Sequence, residues 1–397
     1  MRAGLKRRIP QITLLVLIAV VAATVESVVW AAKGSSSHRA VRADATAKSA
    51  VLVAGGQRRV ARPARSARAK APSAAPSRVA SSAKATTAAS ATSAVGAGVD
   101  PDLCAVAGNA TLTGGVSVPI WGFALKGAAA DCSDVAPQLP GPQIDVNEGD
   151  AVTISVHNAL DRPIEIEAPG ITFDPGPTTA APGATVTLTF TATTAAGTPP
   201  GTYLYESGAD AGRQEAMGLY GALVVHSSTP GSEYGNAFAF EYPKVLVLSE
   251  IDSALNTTVS DGDPATDPSN FDMNTWKPMY WLINGKAYPD TVNITGVAAG
   301  QSMLLRYANA GIDNHTMTML GLRQTVIGRD DFGLANPFNI VSEIFPSGQT
   351  QDAIVQIPPG TSGKLFPLYN RNLNLQNGAF GSAGHSPGGM MAFISVS

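Results

Sequence analysis

Glu165 and Glu167 stand two residues apart in RPIEIEAPG, an interval that turns both carboxylates to one side of a β-strand. Neighbouring carboxylates repel, so such a site needs a cation, raised pKa values or open solvent. Hard oxygen donors suit Ca²⁺, Mg²⁺ or Mn²⁺ rather than Cu⁺. Asp210, Arg213 and Glu215 follow in one loop, with Arg213 as the natural counter-ion. The folded part of the chain has four histidines: His157, His226, His315 and His385. His157 precedes a turn and His226 ends a strand, and both read as ordinary side chains. Met317 and Met319 share one strand face with His315 by period two, which reads as core filling. Cys104 and Cys132, the only cysteines, read as one disulfide in an oxidising compartment, since no histidine lies near either to complete a metal site. Trp276, Tyr280, Trp281 and Tyr288 cluster around the Asn284-Gly285 turn and read as packing between domains. There is no phosphate-cradling loop, dinucleotide fingerprint, Gly-x-Ser-x-Gly elbow or His-Glu-x-x-His helix.

Strands must hold these residues. Val152–Val156, Thr185–Phe190 and Leu219–Val225 alternate or run apolar, with Pro-Gly punctuation between them, and no stretch after residue 100 sustains a helical period. Short strands with frequent turns predict an all-β fold. The second half also repeats the first. GDAVTISVHN (149–158) is echoed by GQSMLLRYAN (300–309), APGATVTLTF (181–190) by FPSGQTQDAIVQI (345–357), and GLYGALVV (218–225) by GGMMAFISV (388–396). The offset predicts two related Greek-key β-sandwich domains, at 103–230 and 240–397, each large enough for its own core.

The N-terminus has a different character. Lys6, Arg7 and Arg8 precede the apolar run Ile12–Val25, the pattern of an export signal. Residues 1–32 are therefore a cleaved signal peptide or a retained membrane anchor. Residues 33–99 lack Phe, Trp and Tyr and predict a disordered linker. That linker carries twelve Lys or Arg against the single Asp44, whereas the chain from Asp100 onward has a formal charge of −17. A basic tether of this kind suits a spacer or contact with anionic envelope polymers, and the absence of stacking aromatics argues against nucleic acid. The expected location is extracytoplasmic, secreted or anchored at the cell surface.

The motifs LPGPQIDVNEGDAVTISVHNAL (139–160), GTYLYESG (201–208), MGLYGALVV (217–225), INGKAYPD (283–290), NHTMTMLGL (314–322) and PGGMM (387–391) resemble the multicopper oxidase family, which is built from cupredoxin domains. The resemblance implies a type 1 copper that accepts electrons and a trinuclear cluster that reduces dioxygen. The ligands do not follow the frame. Glu165-Ile166-Glu167 stands at the family's His-Trp-His, and Leu204-Tyr205-Glu206-Ser207-Gly208 at its Trp-Tyr-His-Ser-His. His315 alone survives from His-Pro-x-His-x-His-Gly, the His-Cys-His position falls at Leu365–Asn370, and Met390 matches the axial methionine. Family geometry would bring Glu206 to Glu165 and Glu167, a candidate Mn²⁺ or Ca²⁺ site. It would also bring His385 near His315, Met390 and Met391 as a soft copper patch. The expectation is no bound cofactor, because no free cysteine can couple a type 1 copper to a cluster. The expected function is a non-catalytic binding or structural module of the cell envelope, with a copper- or manganese-dependent oxidoreductase as the alternative. Two-domain relatives imply trimers, and the expected assembly is a monomer or a homotrimer.

Overall fold

The structure is a computed structural model that describes residues 99–235, 238–258, 271–382 and 385–397. The apolar N-terminal run, residues 33–98 of the basic linker and the polar loop 261–270 lie outside the described residues. Among the described residues, no helix is long and apolar enough to cross a membrane.

The chain folds as two β-sandwiches. Nine strands build the first: β1 (Asp102–Leu112), β2 (Val116–Leu125), β3 (Ile144–Asn147), β4 (Ala151–Asn158), β5 (Ile164–Glu167), β6 (Thr179–Ala180), β7 (Thr185–Thr191), β8 (Gly201–Ser207) and β9 (Tyr220–His226). One sheet runs β2-β1-β4-β7 and the other β3-β9-β8-β5-β6. In β4 the pattern is visible residue by residue: Val152, Ile154 and Val156 are buried while Thr153, Ser155 and His157 stay partly exposed. These apolar faces close over Phe123, Ile166, Phe190, Tyr205 and Leu223 as one core. The disulfide Cys104–Cys132 is formed, with the Cα atoms 5.7 Å apart, and ties β1 to the segment after β2.

The second sandwich uses β10 (Tyr242–Ile251), β11 (Tyr280–Ile283), β12 (Ser302–Asn309), β13 (His315–Met319), β14 (Gln324–Arg329), β15 (Phe332–Ile340), β16 (Ser342–Phe345), β17 (Thr350–Gln356), β18 (Leu365–Asn370), β19 (Gln376–Asn377), β20 (Ser386–Pro387) and β21 (Met391–Ser395). Its sheets run β11-β10-β12-β17-β14-β15 and β16-β13-β18-β21, with β19-β20 as a separate pair. The sequence repeat has its counterpart in the pairings. β1 lies parallel to β4 and β10 parallel to β12, while β4–β7 and β12–β17 are antiparallel, as are β8–β9 and β18–β21. The repeated asparagine ending β4 and β12 shows what the repeat preserves. Asn158 accepts the Leu160 N–H and donates to Arg162 O, and Asn309 accepts the Gly311 N–H and donates to Asp313 O. Each side chain supplies partners for a turn that would otherwise bury bare backbone groups.

β15 and β16 form a ribbon that leaves one sheet and joins the other, with Val341 alone between them. Each pairs on one side only, β15 with β14 and β16 with β13. Phe332, Phe338, Val341 and Ile344 are exposed along it.

Apolar contacts join the sandwiches: Leu204, Tyr220 and Ala222 against Val247, Ala308 and Ala310, and Leu112 and Val118 against Ile251, Tyr280 and Leu282. The Asn284-Gly285 turn approaches so closely that a Cβ on Gly285, at φ +73°, would collide with the Leu139 carbonyl. At the same junction Arg306 is 1% exposed. It meets Asp352 at 2.5 Å, Glu233 at 2.6 Å and the Thr202 hydroxyl at 3.1 Å. Thr202 and Tyr234 donate to Asp352 at 2.6 and 2.8 Å, so strands of both sandwiches share one buried polar knot. Burial pushes the Asp352 carboxyl up, against the pull of Arg306 and the two hydroxyls.

Candidate functional site

β5 buries Ile164 and Ile166 in the core and turns Glu165 and Glu167 to the other side, as their spacing predicts. The two glutamates then part company. Glu165 stands opposite Thr179 on β6, whereas Glu167 stands opposite Glu206 on β8. The residue whose charge Glu206 shares is Glu215, on the single helical turn α1 (Arg213–Ala216). Burial, then the charge of Glu167, raises Glu206 to about 7. Burial, then Glu206, Glu250 and Glu167, raises Glu215 to about 9. Arg213 is not their counter-ion: its Nε donates to Phe271 O at 2.9 Å and its Nη1 lies 3.5 Å from Asp210. Of the expected trio, Arg213 and Asp210 pair, and only Glu215 stands apart from them.

His315 opens β13 and is fully buried. Asn370 Oδ1 accepts the Thr316 and Asn372 N–H groups at 3.1 and 3.0 Å, which fixes the amide so that its Nδ2 donates to His315 Nδ1 at 2.9 Å. The ring proton therefore sits on Nε2, 2.5 Å from Glu250 Oε1. Glu250 is itself held by the Ile312 and Asp313 N–H groups at 3.0 and 3.2 Å. Asn370 thus occupies Nδ1, while Nε2 is in close contact with Glu250 without a well-aligned hydrogen bond. Met317, Met319 and Met390 are buried in the surrounding apolar core, as the period-two stripe predicts. His385 packs edge-on against Phe380, with its Nδ1 3.5 Å from Gly378 O. Of the remaining histidines, His157 bridges Asp102 at 2.6 Å and Thr185 at 2.8 Å. His226 bonds Asp145 at 2.9 Å, and its hydrogen bonds to Asp145 and Glu233 raise it to about 9.

This donor set does not fit a type 1 copper. Such a site needs a thiolate and two imidazole nitrogens, yet both cysteines are consumed in the disulfide and His315 is, among the described residues, the one histidine near Met390, with its Nδ1 already taken by Asn370. Among the described residues, no group of three or more His, Cys, Asp or Glu is arranged to hold a metal ion. Sequence reasoning missed Glu250, Asn370 and the pairing of Glu215. Only the fold brings Glu250 and Asn370, the latter 55 residues away, to His315, and no local motif marks them.

The multicopper oxidase family model matches residues 123–230, the segment that carries β5, β8 and α1. That segment of the first sandwich resembles multicopper oxidases. It is 25% identical over 291 residues to copper resistance protein A of Escherichia coli, covering 61% of this chain and 45% of that protein. It is 26% identical over 266 residues to copper resistance protein A of Pseudomonas syringae pv. tomato, covering 55% and 41%. The chain thus spans less than half the length of these curated relatives. Among solved structures, the blue copper oxidase from Nitrosomonas europaea superposes with a TM-score of 0.60 at 23% identity, over 76% of this chain and 86% of that one. At that identity the likeness speaks for the cupredoxin fold alone.

Proposed function

We propose that this protein is an exported multicopper-oxidase-fold module of the cell envelope that binds or supports other components without copper redox catalysis. The observation that carries the reading is His315, the histidine that the resemblance retains in the second sandwich, whose Nδ1 is held by Asn370 and whose Nε2 lies 2.5 Å from Glu250, with no thiolate beside it. An electron acceptor at this position would lack its thiolate, and the carboxylates in the first sandwich are poor partners for cuprous copper. The basic, then apolar N-terminus supports export, through a cleaved signal or a retained anchor, and the basic linker suits anionic envelope polymers. A second reading, an oxidoreductase dependent on a hard divalent cation at Glu167 and Glu206, has one observation in its favour: Glu206 Oε2 is buried without a hydrogen-bond partner. The test is elemental analysis of the purified full chain after separate dialysis against copper, manganese and calcium, followed by an oxygen-consumption assay with a phenolic substrate. The expected result is no stoichiometric copper, no blue absorbance and no turnover. Blue, copper-loaded protein that consumes oxygen would overturn the reading. Manganese retained by the parent and lost on Glu206→Gln would transfer support to the second. Light scattering on the same preparation distinguishes a monomer from a homotrimer.

A further inference from the structure

The Arg306 knot leaves one edge of its own guanidinium unanswered. Nη1 donates to Asp352 and to the Thr202 hydroxyl, and Nη2 lies 2.6 Å from Glu233 without an aligned hydrogen bond. Nε, buried with the rest of the side chain, has no acceptor among the described residues. A buried charged donor left unmet is costly, so the space around it shows where an acceptor belongs. That space is a cavity of about 240 Å³ at the junction, walled by Gln143, Asp145 and His226 of the first sandwich and by Lys244 and Arg306 of the second. It is smaller than the pockets of about 300 Å³ and more that take drug-sized ligands, and it suits an ion or a small headgroup. Lys244 has no ion pair among the described residues. His226 bonds Asp145 at 2.9 Å and is raised to about 9, so it is cationic at neutral pH. Asp145 also accepts from the Gln143 amide at 2.9 Å and is half-exposed. Arg306, His226 and Lys244 are balanced by Asp145, Glu233 and Asp352. Net charge therefore draws no anion in, and the unmet donors favour a ligand with one negative charge over one with two.

We propose that this cavity binds a phosphate that keeps one proton: its oxygens accept from Arg306 Nε and the Lys244 ammonium, and its P–OH donates to Asp145. Guanidinium edges and lysine ammonium groups are the usual partners of phosphate oxygens. The retained proton turns Asp145 from a repelling group into an acceptor. Sulfate, of similar size and shape, carries no proton and meets that carboxylate as a bare anion. Asp145 lies on β3 whereas Lys244 and Arg306 lie on β10 and β12, so the bound phosphate spans the junction.

The test is calorimetric titration of the full chain with inorganic phosphate, sulfate and glycerol 1-phosphate at matched ionic strength. At pH 5.5 a phosphate monoester, with its second pKa of about 6, is mostly singly charged. Saturable binding of one phosphate per chain is expected, with sulfate at least about tenfold weaker. The basic residues of the linker attract both anions alike and are present in every sample, so the phosphate-to-sulfate ratio reports the cavity. Lys244→Met should weaken phosphate about tenfold. Asp145→Asn, whose amide can donate to a bare anion, should bring sulfate level with phosphate. Glycerol 1-phosphate bound as well as inorganic phosphate supports the site with a phosphorylated polymer as its source, and inorganic phosphate bound alone supports it with the free ion. No saturable phosphate binding, sulfate bound as tightly as phosphate by the parent chain, or an unchanged affinity in Lys244→Met would overturn the proposal. Should Lys244→Met fail to fold, the phosphate-to-sulfate ratio of Asp145→Asn decides, and a ratio equal to the parent's overturns it.

Discussion

Replacing Asp352 by Asn probes the Arg306 knot directly. Asp352 is fully buried and receives three donors: Arg306 at 2.5 Å, Thr202 at 2.6 Å and Tyr234 at 2.8 Å. The amide is nearly isosteric, so the substitution removes charge without opening a cavity. It leaves Arg306, at 1% exposure, with Glu233 as its single anionic partner. Leaving a buried ion without its partner costs about 3–5 kcal/mol, and Glu233 retains part of the attraction, so the expected loss is about 3 kcal/mol. Replacing both ions at once, Arg306→Met with Asp352→Leu, removes the desolvation penalty along with the attraction and should cost less than Asp352→Asn alone. Because the pair is buried, added salt should leave the difference nearly unchanged. The assay is urea denaturation at one fixed pH, with the m-value checked for constancy. A loss under about 1 kcal/mol for Asp352→Asn, or a double variant costing as much as its two single changes together, would refute the claim that this knot holds the junction.

Two further outcomes are expected. Replacing Cys104 and Cys132 by Ala frees a loop of 28 residues and should lower stability by about 3–4 kcal/mol, read by denaturation under identical conditions. Gly285→Ala combines a positive φ with a collision at Leu139 O and should cost at least about 1–3 kcal/mol, with heat denaturation as the readout.

The frame was legible because it depends on local signals. Period-two alternation placed β4 and β7, and the repeated Gly-to-Asn segments marked the equivalent strands β4 and β12, whose closing asparagines serve the same turn. The same periodicity correctly turned Glu165 and Glu167 to one side of β5. What escaped was everything decided across strands. Spacing along β5 cannot say that Glu165 faces β6 while Glu167 faces β8, because that depends on which neighbour each residue pairs with. Arg213 pairs with Asp210 of its own loop as its sequence neighbourhood suggested, yet the backbone carbonyl of Phe271, 58 residues away, takes its Nε, which proximity in sequence could not show. Arg306 sits in LLRYAN, where the alternation gives no hint that a fully buried cation awaits two acids from distant segments. Buried charge is the least legible feature in a sequence, because its partners are chosen by topology.

The β15–β16 ribbon gives the second sandwich an unequal tolerance to insertion. Its surface position suggests a place where extra residues would be harmless. Yet Phe345 is fully buried, stands opposite His315 and lies 4.8 Å from the Tyr307 ring, while its neighbour Ile344 points outward. With only Val341 between the strands, a single added residue there has no slack in which to be absorbed. It would exchange Ile344 for Phe345 on the inner face and carry the carbonyl that Asn309 holds out of reach. Length variation should therefore be purged from this exposed ribbon and accepted at the β17–β18 turn, where Gly360 and Gly363 meet open space.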